Sequence, residues 1–317
     1  MFVQCRPKLN LALEIMGRRA DGYHELASVM HPIGCPGRLL ESLGLPNMDQ
    51  LVPPMAVDLA SGLQDMLNIR PGRSGIELRT GGPSSPEGRA NIAYRAAEAF
   101  YEMADLEPRV CLRLEKWIPS QAGLGGGSAD AAGVLRGLAT LHYWTDEEAL
   151  REVARTLGAD VPFFLGSGAA LAEGIGERLT PLPTADFAVV LALGTPGVET
   201  RWAYSQVKPK HYTDGSRARA AAELLEDGQV GEPWNGFVPA LARERPDLIA
   251  LIERMAKLTG GPAGLTGSGA CVFGLAPDDS AAWRADSALR QEGYWTWSGR
   301  SASEPLTVTL QDTVERR

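Results

Sequence analysis

Residues 119–130 read Pro-Ser-Gln-Ala-Gly-Leu-Gly-Gly-Gly-Ser-Ala-Asp, with Gly123, Gly125, Gly126 and Gly127 inside five positions. Behind them Ala131, Leu135, Leu138, Ala139 and His142 recur at helical spacing, and no proline interrupts. Ahead of them Val110 to Leu114 alternates apolar and polar side chains, the pattern of a strand. The unit is strand, glycine loop, helix. Glycine reaches positive φ without penalty and puts no Cβ between backbone and ligand. The loop N–H groups can then converge on one anion, joined by the free donors and positive dipole end of the helix. Ser128, at the junction, either caps the helix or meets a phosphate oxygen or metal. The stretch reads as a polyphosphate cradle, against the plainer reading of a tight structural turn.

Two familiar phosphate loops are tested directly. A P-loop needs Gly-Lys-Ser or Gly-Lys-Thr, and neither occurs in the chain. The dinucleotide fingerprint needs a third glycine where Ser128 stands, and its strand should end closer to the loop than Glu115 to Ala122 allow. A nicotinamide enzyme is therefore the weaker reading.

The chain has 317 residues, enough for about two domains. Apolar residues are 44% and charged residues 22%, so a sizeable core is expected and wholesale disorder is not. The net charge of −8, with no lysine or arginine block, argues against a nucleic-acid partner. Cys5, Cys35, Cys111 and Cys271 are far apart and form no C-x-x-C, which points to a reduced cytoplasm rather than disulfides or zinc. No signal peptide or membrane span is expected, since charges come early and no apolar run approaches twenty residues.

Phe2 to Ile15 reads as one long strand or a strand pair, with Lys8 and Asn10 on one face and Leu9 and Leu11 on the other. That polar face meets either water or a pocket. Asp21-Gly22 marks a turn, and Tyr23 and His24 follow in a loop, as surface decoration or as binding residues. Residues 34–90 are hardest to read. Leu39 to Leu45 and Ala60 to Ile69 suggest short helices, and Gly75 to Arg79 a strand. Asn91 is an expected N-cap for a helix to Met103. Thr145 to Glu148 reads as a capping box for a helix through Leu157, stopped by Gly158. Asp160 sits among Val161, Phe163, Phe164 and Leu165, where a carboxylate is either satisfied by local backbone donors or paired. A domain boundary is expected near the Gly- and Ala-rich 166–176, giving units 1–165 and 166–317. Phe187 to Leu193 reads as a buried strand. A helix after Thr200 should expose Trp202 and Tyr204 early, and Pro246 to Leu258 reads as another helix. A second glycine turn, Gly264 to Phe273, either braces the first or simply begins a strand.

Three motifs stand in fixed order: Pro-Lys-Leu-Asn-Leu at 7–11, the glycine loop, and Thr-Gly-Ser-Gly-Ala-Cys at 266–271. Together they resemble the GHMP kinase superfamily. Residues 17–26, 157–164 and 170–179 are similar to the branch that phosphorylates a cytidine diphosphate-linked methylerythritol. The resemblance covers roughly residues 3–32 and 91–275. It departs at 33–90, at Ala129 in place of a second serine, and at Trp234-Asn235-Gly236-Phe237 in place of an Asn-Asp pair.

The resemblance implies an α+β fold of two domains with the active site in the cleft between them. It implies transfer of the ATP γ-phosphate to a tertiary hydroxyl, with Mg²⁺ as counter-ion and no metal ligand named. By resemblance Asp160 is the base and Lys8 its cationic partner. Gly123, Leu124, Gly125, Gly126, Gly127 and Ser128 hold ATP phosphates, and Asn91 and Lys116 lie where the family contacts the nucleoside. Asn10, Tyr23, His24, Thr200 and Tyr204 match substrate-binding positions. A cytoplasmic monomer or homodimer with a small-molecule substrate is expected. Two rivals stand beside this reading: another GHMP kinase, of homoserine or mevalonate type, and a non-catalytic nucleotide-binding protein on the same fold.

Overall fold

A computed structural model describes residues 1–36, 62–82 and 85–310. Its first strands are β1 (Phe2–Cys5), β2 (Lys8–Arg18), β3 (His24–Cys35), β4 (Asp65–Pro71) and β5 (Gly75–Gly81). After helix α1 (Ile92–Met103) come β6 (Arg109–Glu115), α2 (Gly126–Leu141), α3 (Glu147–Leu157) and the single turn α4 (Val161–Phe164). The second half runs β7 (Ala169–Gly174), β8 (Arg178–Leu182), β9 (Ala188–Leu193), α5 (Thr200–Gln206), α6 (Ser216–Glu226), β10 (Trp234–Asn235) and α7 (Phe237–Leu241). It ends with α8 (Pro246–Thr259), β11 (Ala263–Leu265), β12 (Cys271–Ala276), α9 (Asp279–Gln291), β13 (Trp295–Ser301) and β14 (Leu306–Thr309).

Among the described residues the strands form two sheets. One has the order β14-β1-β4-β6-β5, with β5 parallel to β6 and the other pairs antiparallel. The other runs β10-β2-β3-β13-β9-β12-β11, with β7 paired to β3 and β8 paired to β7. Strands from both ends of the chain meet in each sheet: β1 pairs with β14, and β3 with β13.

Helices α1 and α2 cover the first sheet, where Phe100, Leu135 and Leu138 pack with Val3, Leu67, Ile69 and Leu112. Strand β9 shows why its sequence is apolar throughout. Val189 and Leu191 face a core with Phe273 and Ala218, while Val190 and Ala192 face Leu251, Met255 and Leu289 under α8 and α9. A strand covered on both faces has no polar side to alternate. No helix among the described residues is long and apolar enough to cross a membrane.

Local signals were reliable where they were chemical. The Asn91 side chain accepts the Ala93 N–H as the N-cap of α1, and Gly158 ends α3. The expected capping box does not form: Asp146 rather than Thr145 is the cap and takes the Ala149 N–H, and an alanine at that position has no side chain to reach back. In place of the helix expected over Ala60 to Ile69, the described residues from Asp65 onward form strand β4, pinned by the register Asp65 to Cys5 on one side and Leu67 to Leu114 on the other. The expected helix over Leu39 to Leu45 lies outside the described residues.

His31 on β3 is completely buried. Its Nδ1 lies 2.8 Å from the Pro32 carbonyl, and its Nε2 accepts the Ala185 N–H at 3.0 Å. Both bonds suit a neutral ring that donates from Nδ1. Burial pushes the imidazole from its ordinary 6.5 down to about 4. Below pH 6.5 the unfolded chain therefore takes up a proton that the folded chain refuses, and stability falls with falling pH by up to ~3 kcal/mol near pH 4. His31→Gln loses hydrogen bonds at every pH, but its unfolded chain takes up no proton at this position. The gap between the urea midpoints of wild type and His31→Gln should narrow as pH drops from 7 to 4.5. A constant gap would mean the folded protein protonates His31 freely.

Candidate active site

The glycine loop turns into α2 through Gly125, whose φ of 74° makes it a left-handed N-cap, and Gly123 has φ 77°. A Cβ on Gly123 would lie 2.2 Å from the Thr266 carbonyl oxygen, so the late glycine turn occupies the space a side chain would need. Backbone bonds clamp the loop from two directions. The Lys8 N–H donates to Leu124 O at 3.0 Å, and the Cys271 N–H donates to Ala122 O at 3.2 Å. The second glycine turn is thus a brace for the first. At the start of α2 the first N–H groups have no intrahelical acceptor, and a glycine cap supplies no side chain to take them.

Beside the loop, Lys8 and Asp160 form an ion pair, Nζ to Oδ2 3.6 Å. Asp160 occupies the N-cap position of α4, yet its side chain accepts no capping hydrogen bond. It is not consumed by local donors, and its side chain keeps 38% of its surface open while Lys8 keeps 3%. Burial lowers the Lys8 pKa and Asp160 pulls it back up. Lys8 Nζ also donates to Asn10 Oδ1 at 2.5 Å, which places the two on one face of β2 as the alternation predicts. Asn10 Oδ1 further accepts the Gly267 N–H at 2.9 Å, its Nδ2 donates to Ser28 Oγ at 2.8 Å, and its N–H donates to Thr266 Oγ1 at 3.1 Å.

Lys116 is buried under the loop between two carboxylates, bonded to Asp65 and, at 2.6 Å, to Asp130. Burial pulls its pKa down, but Asp130 and Asp65 together raise it above the ordinary value. Burial holds the Asp130 carboxyl well above the usual range despite the opposing pull of Lys116. Asp65 also accepts the Trp117 and Ile118 N–H groups at 2.6 and 2.9 Å, fixing the chain that enters the loop. Sequence reading missed Asp65. Asn91, matched to the nucleoside site, has its side chain engaged elsewhere: besides capping, its Nδ2 donates to Pro86 O at 2.9 Å and Ser85 Oγ at 3.1 Å.

An aromatic group closes the other end. His24, which begins β3 rather than ending a loop, stacks on Tyr204 with centroids 4.8 Å apart and planes at 20°. Tyr212 meets His24 edge-on, and Phe237 meets Tyr204 edge-on. Tyr204 and Trp202 are therefore half-buried, not exposed as the sequence suggested, because α7 packs behind them. Tyr23 is 61% exposed. Burial and then Arg18 lower the His24 pKa. Thr200 Oγ1 lies 3.1 Å from the hydroxyl of Ser268, a buried residue of the late turn that sequence reading also missed.

One cleft of about 1560 Å³ joins the glycine loop, the Lys8–Asp160 pair and the aromatic group. Every site residue singled out from the sequence lines it except Asn91. Among the described residues, no group of three or more His, Cys, Asp or Glu could hold a metal.

The description "GHMP kinases N terminal domain" matches residues 91–168, and "GHMP kinases C terminal" matches 214–294. The 4-diphosphocytidyl-2-C-methyl-D-erythritol kinase of Thermus thermophilus is 37% identical over 92% of this chain and 93% of its own length. The chain belongs to the 4-diphosphocytidyl-2-C-methyl-D-erythritol kinase family. A solved structure of a 4-(cytidine 5'-diphospho)-2C-methyl-D-erythritol kinase agrees, at 36% identity and TM-score 0.76, covering 95% of this chain and 99% of that one. A homoserine kinase structure from Cytophaga hutchinsonii, at 14% identity and TM-score 0.63, shares the fold alone. The fold is thus the two-domain α+β architecture of GHMP kinases, with the cleft between contributions of both halves of the chain.

For a member of this family, the brace on the loop makes a sharp mutational contrast. Gly123→Ala must displace the Thr266 carbonyl and force an L-residue to φ 77°. Gly127→Ala meets nothing nearer than Ile92 Cγ2 at 3.6 Å and sits inside a helix. Thermal melts should show Gly123→Ala well below wild type, by about 1–3 kcal/mol, and Gly127→Ala level or slightly higher. Equal melting points would contradict the brace.

Proposed function

We infer that this chain transfers the γ-phosphate of ATP to the 2-hydroxyl of 4-diphosphocytidyl-2-C-methyl-D-erythritol, giving the 2-phosphate and ADP. The observation that carries this reading is the Lys8–Asp160 pair, set in one cleft with the glycine loop and the aromatic group. Phosphoryl transfer asks for positioning and charge stabilisation rather than covalent help from the protein.

In the proposed step the substrate O–H bond breaks and its proton passes to the Asp160 carboxylate. The freed oxygen bonds to the γ-phosphorus, and the bond to the β-phosphate oxygen breaks to release ADP. Lys8 pairs with Asp160 and faces the charge that develops. The α2 N-terminus and the N–H groups of Gly123 to Ser128 receive the ATP phosphates. The Ser128 hydroxyl is a hard oxygen donor that, with the ATP phosphates, would hold Mg²⁺. Bound there, Mg²⁺ would neutralise phosphate charge.

Tyr23 and the His24–Tyr204 stack frame the proposed cytosine slot. A neutral imidazole offers one donor and one acceptor to a base edge, and the lowered His24 pKa favours that form. Thr200 is assigned to the substrate beside it. Asn10 acts by holding Lys8 and the late turn. The domain division at 165/166 is proposed as functional: cradle and base come before it, and Tyr204 and the brace after. We take the reaction to run in the cytoplasm, on a monomer or homodimer, without nucleic acid.

Phosphorus NMR with Mg·ATP and the cytidine-linked substrate tests the reading: a new phosphomonoester resonance should grow in step with ADP. ATP binding with no such resonance would overturn it. Asp160→Asn should lower turnover by ~10²–10⁴-fold with little change in ATP affinity, and full turnover would remove Asp160 as the base. Tyr204→Ala should raise the substrate KM roughly tenfold or more, given the ~1–3 kcal/mol of base stacking.

A further inference from the structure

The chain carries a net charge of −8, yet its cleft is lined by five cations and only two carboxylates. Two of the cations are spent internally: Lys8 on Asp160 and Asn10, and Lys116 on Asp65 and Asp130. One of the two carboxylates is spent as well. Asp21 binds the Arg19 guanidinium at 3.1 Å and accepts the Tyr23 N–H at 3.0 Å. Three cations remain: Arg18, Arg201 and Lys208. All three are exposed, and none forms an ion pair among the described residues.

Their positions are not scattered. Arg18 ends β2, and its Nε donates to Gly22 O across the turn that leads into Tyr23 and His24. Its charge is felt by the His24 ring. Arg201 follows Thr200 in the first turn of α5, and Lys208 lies just beyond the end of that helix. The same helix carries Tyr204. The free cations therefore sit on the two segments that carry the aromatic group: Arg18 at the turn before His24, and Arg201 and Lys208 at the two ends of the helix that bears Tyr204.

We propose that Arg18, Arg201 and Lys208 form a binding strip for the diphosphate of a nucleoside diphosphate-linked substrate. The proposal rests on the functional reading above and adds to it a second determinant of substrate affinity besides the base slot. A base held at His24 and Tyr204 puts its 5'-diphosphate within the same end of the cleft, where every other charge is already paired. A cleft of opposite sign to its ligand, on a chain of the same sign as its ligand, also concentrates that anion at the mouth. ATP phosphates are drawn instead to the N-terminus of α2.

The test compares cytidine, CMP and CDP as competitors of the cytidine-linked substrate at saturating ATP, in wild type, in Arg18→Gln, Arg201→Gln and Lys208→Gln, and in the triple variant. Circular dichroism checks folding. In wild type CDP should bind more tightly than CMP and CMP more tightly than cytidine, with the advantage of CDP shrinking as KCl is added. Each single change should weaken CDP by roughly 3–10-fold, as for exposed charge-assisted contacts. The triple variant should largely erase the preference for CDP over cytidine and leave the ATP KM unchanged. Equal weakening of CDP and cytidine, or no weakening of CDP, overturns the strip. A wild type that turns over the substrate but binds CDP no better than cytidine also overturns it and leaves the functional reading standing. A wild type that neither turns over the substrate nor binds cytidine overturns that reading itself.

Discussion

The carboxamide of Asn10 holds together three parts of the chain that are remote in sequence. Its oxygen takes hydrogen bonds from Lys8 Nζ and from the Gly267 N–H, and its nitrogen ties to Ser28 on the neighbouring strand. The late turn that it anchors is the same turn whose Thr266 carbonyl lies against Gly123. Orientation of Lys8, placement of the glycine loop and closure of the late turn are therefore one arrangement. A buried amide is costly unless its groups are paired, and here both ends are. Asn235 supports the turn from behind, donating to Leu265 O at 2.7 Å and Gly267 O at 2.9 Å.

The two buried lysines show how the same charge serves opposite ends. Lys116 is enclosed by two carboxylates that are themselves buried, and Asp65 uses its remaining oxygen on the backbone of the approaching chain. Only Asp130 Oδ1 in that cluster is left without a hydrogen-bond partner, and the effect of the cluster is to hold the segment before the loop. Lys8 is as deeply buried, but its partner Asp160 is more than a third exposed and escapes the local cap. That asymmetry sets a sequestered cation beside an accessible carboxylate, the feature on which the proposed role of the pair rests.

Much of the site was legible in the sequence because its signals are short-range. Glycine density, the Asn91 cap, the Asp21-Gly22 turn and the run from Phe187 to Leu193 each declare themselves within a few residues. The joining of Lys8 to Asp160 was not a matter of pattern; it came from resemblance, since nothing local links two residues so far apart. Asp65 escaped notice because its partner Lys116 is 51 residues away and its own strand has weak alternation. Strand β4 was mistaken for a helix for the same reason: a short apolar run fits either period, and pairing to β1 and β6 decided it. Tyr204 looked exposed because the turn at Phe237 that covers it comes more than thirty residues later. Ser268 had no signal beyond its place between two glycines.

The pairing of β1 with β14 and of β3 with β13 bears on how such a chain is made. Synthesis proceeds from the N-terminus, and domains ordinarily fold as they emerge. Here the first strands must wait for the last before either sheet is complete, and the loop at 123–127 lacks its backing until Cys271 has left the ribosome. The nascent chain thus carries unmatched strand edges through nearly the whole of translation. The backing of that loop arrives late, when the closing segments dock.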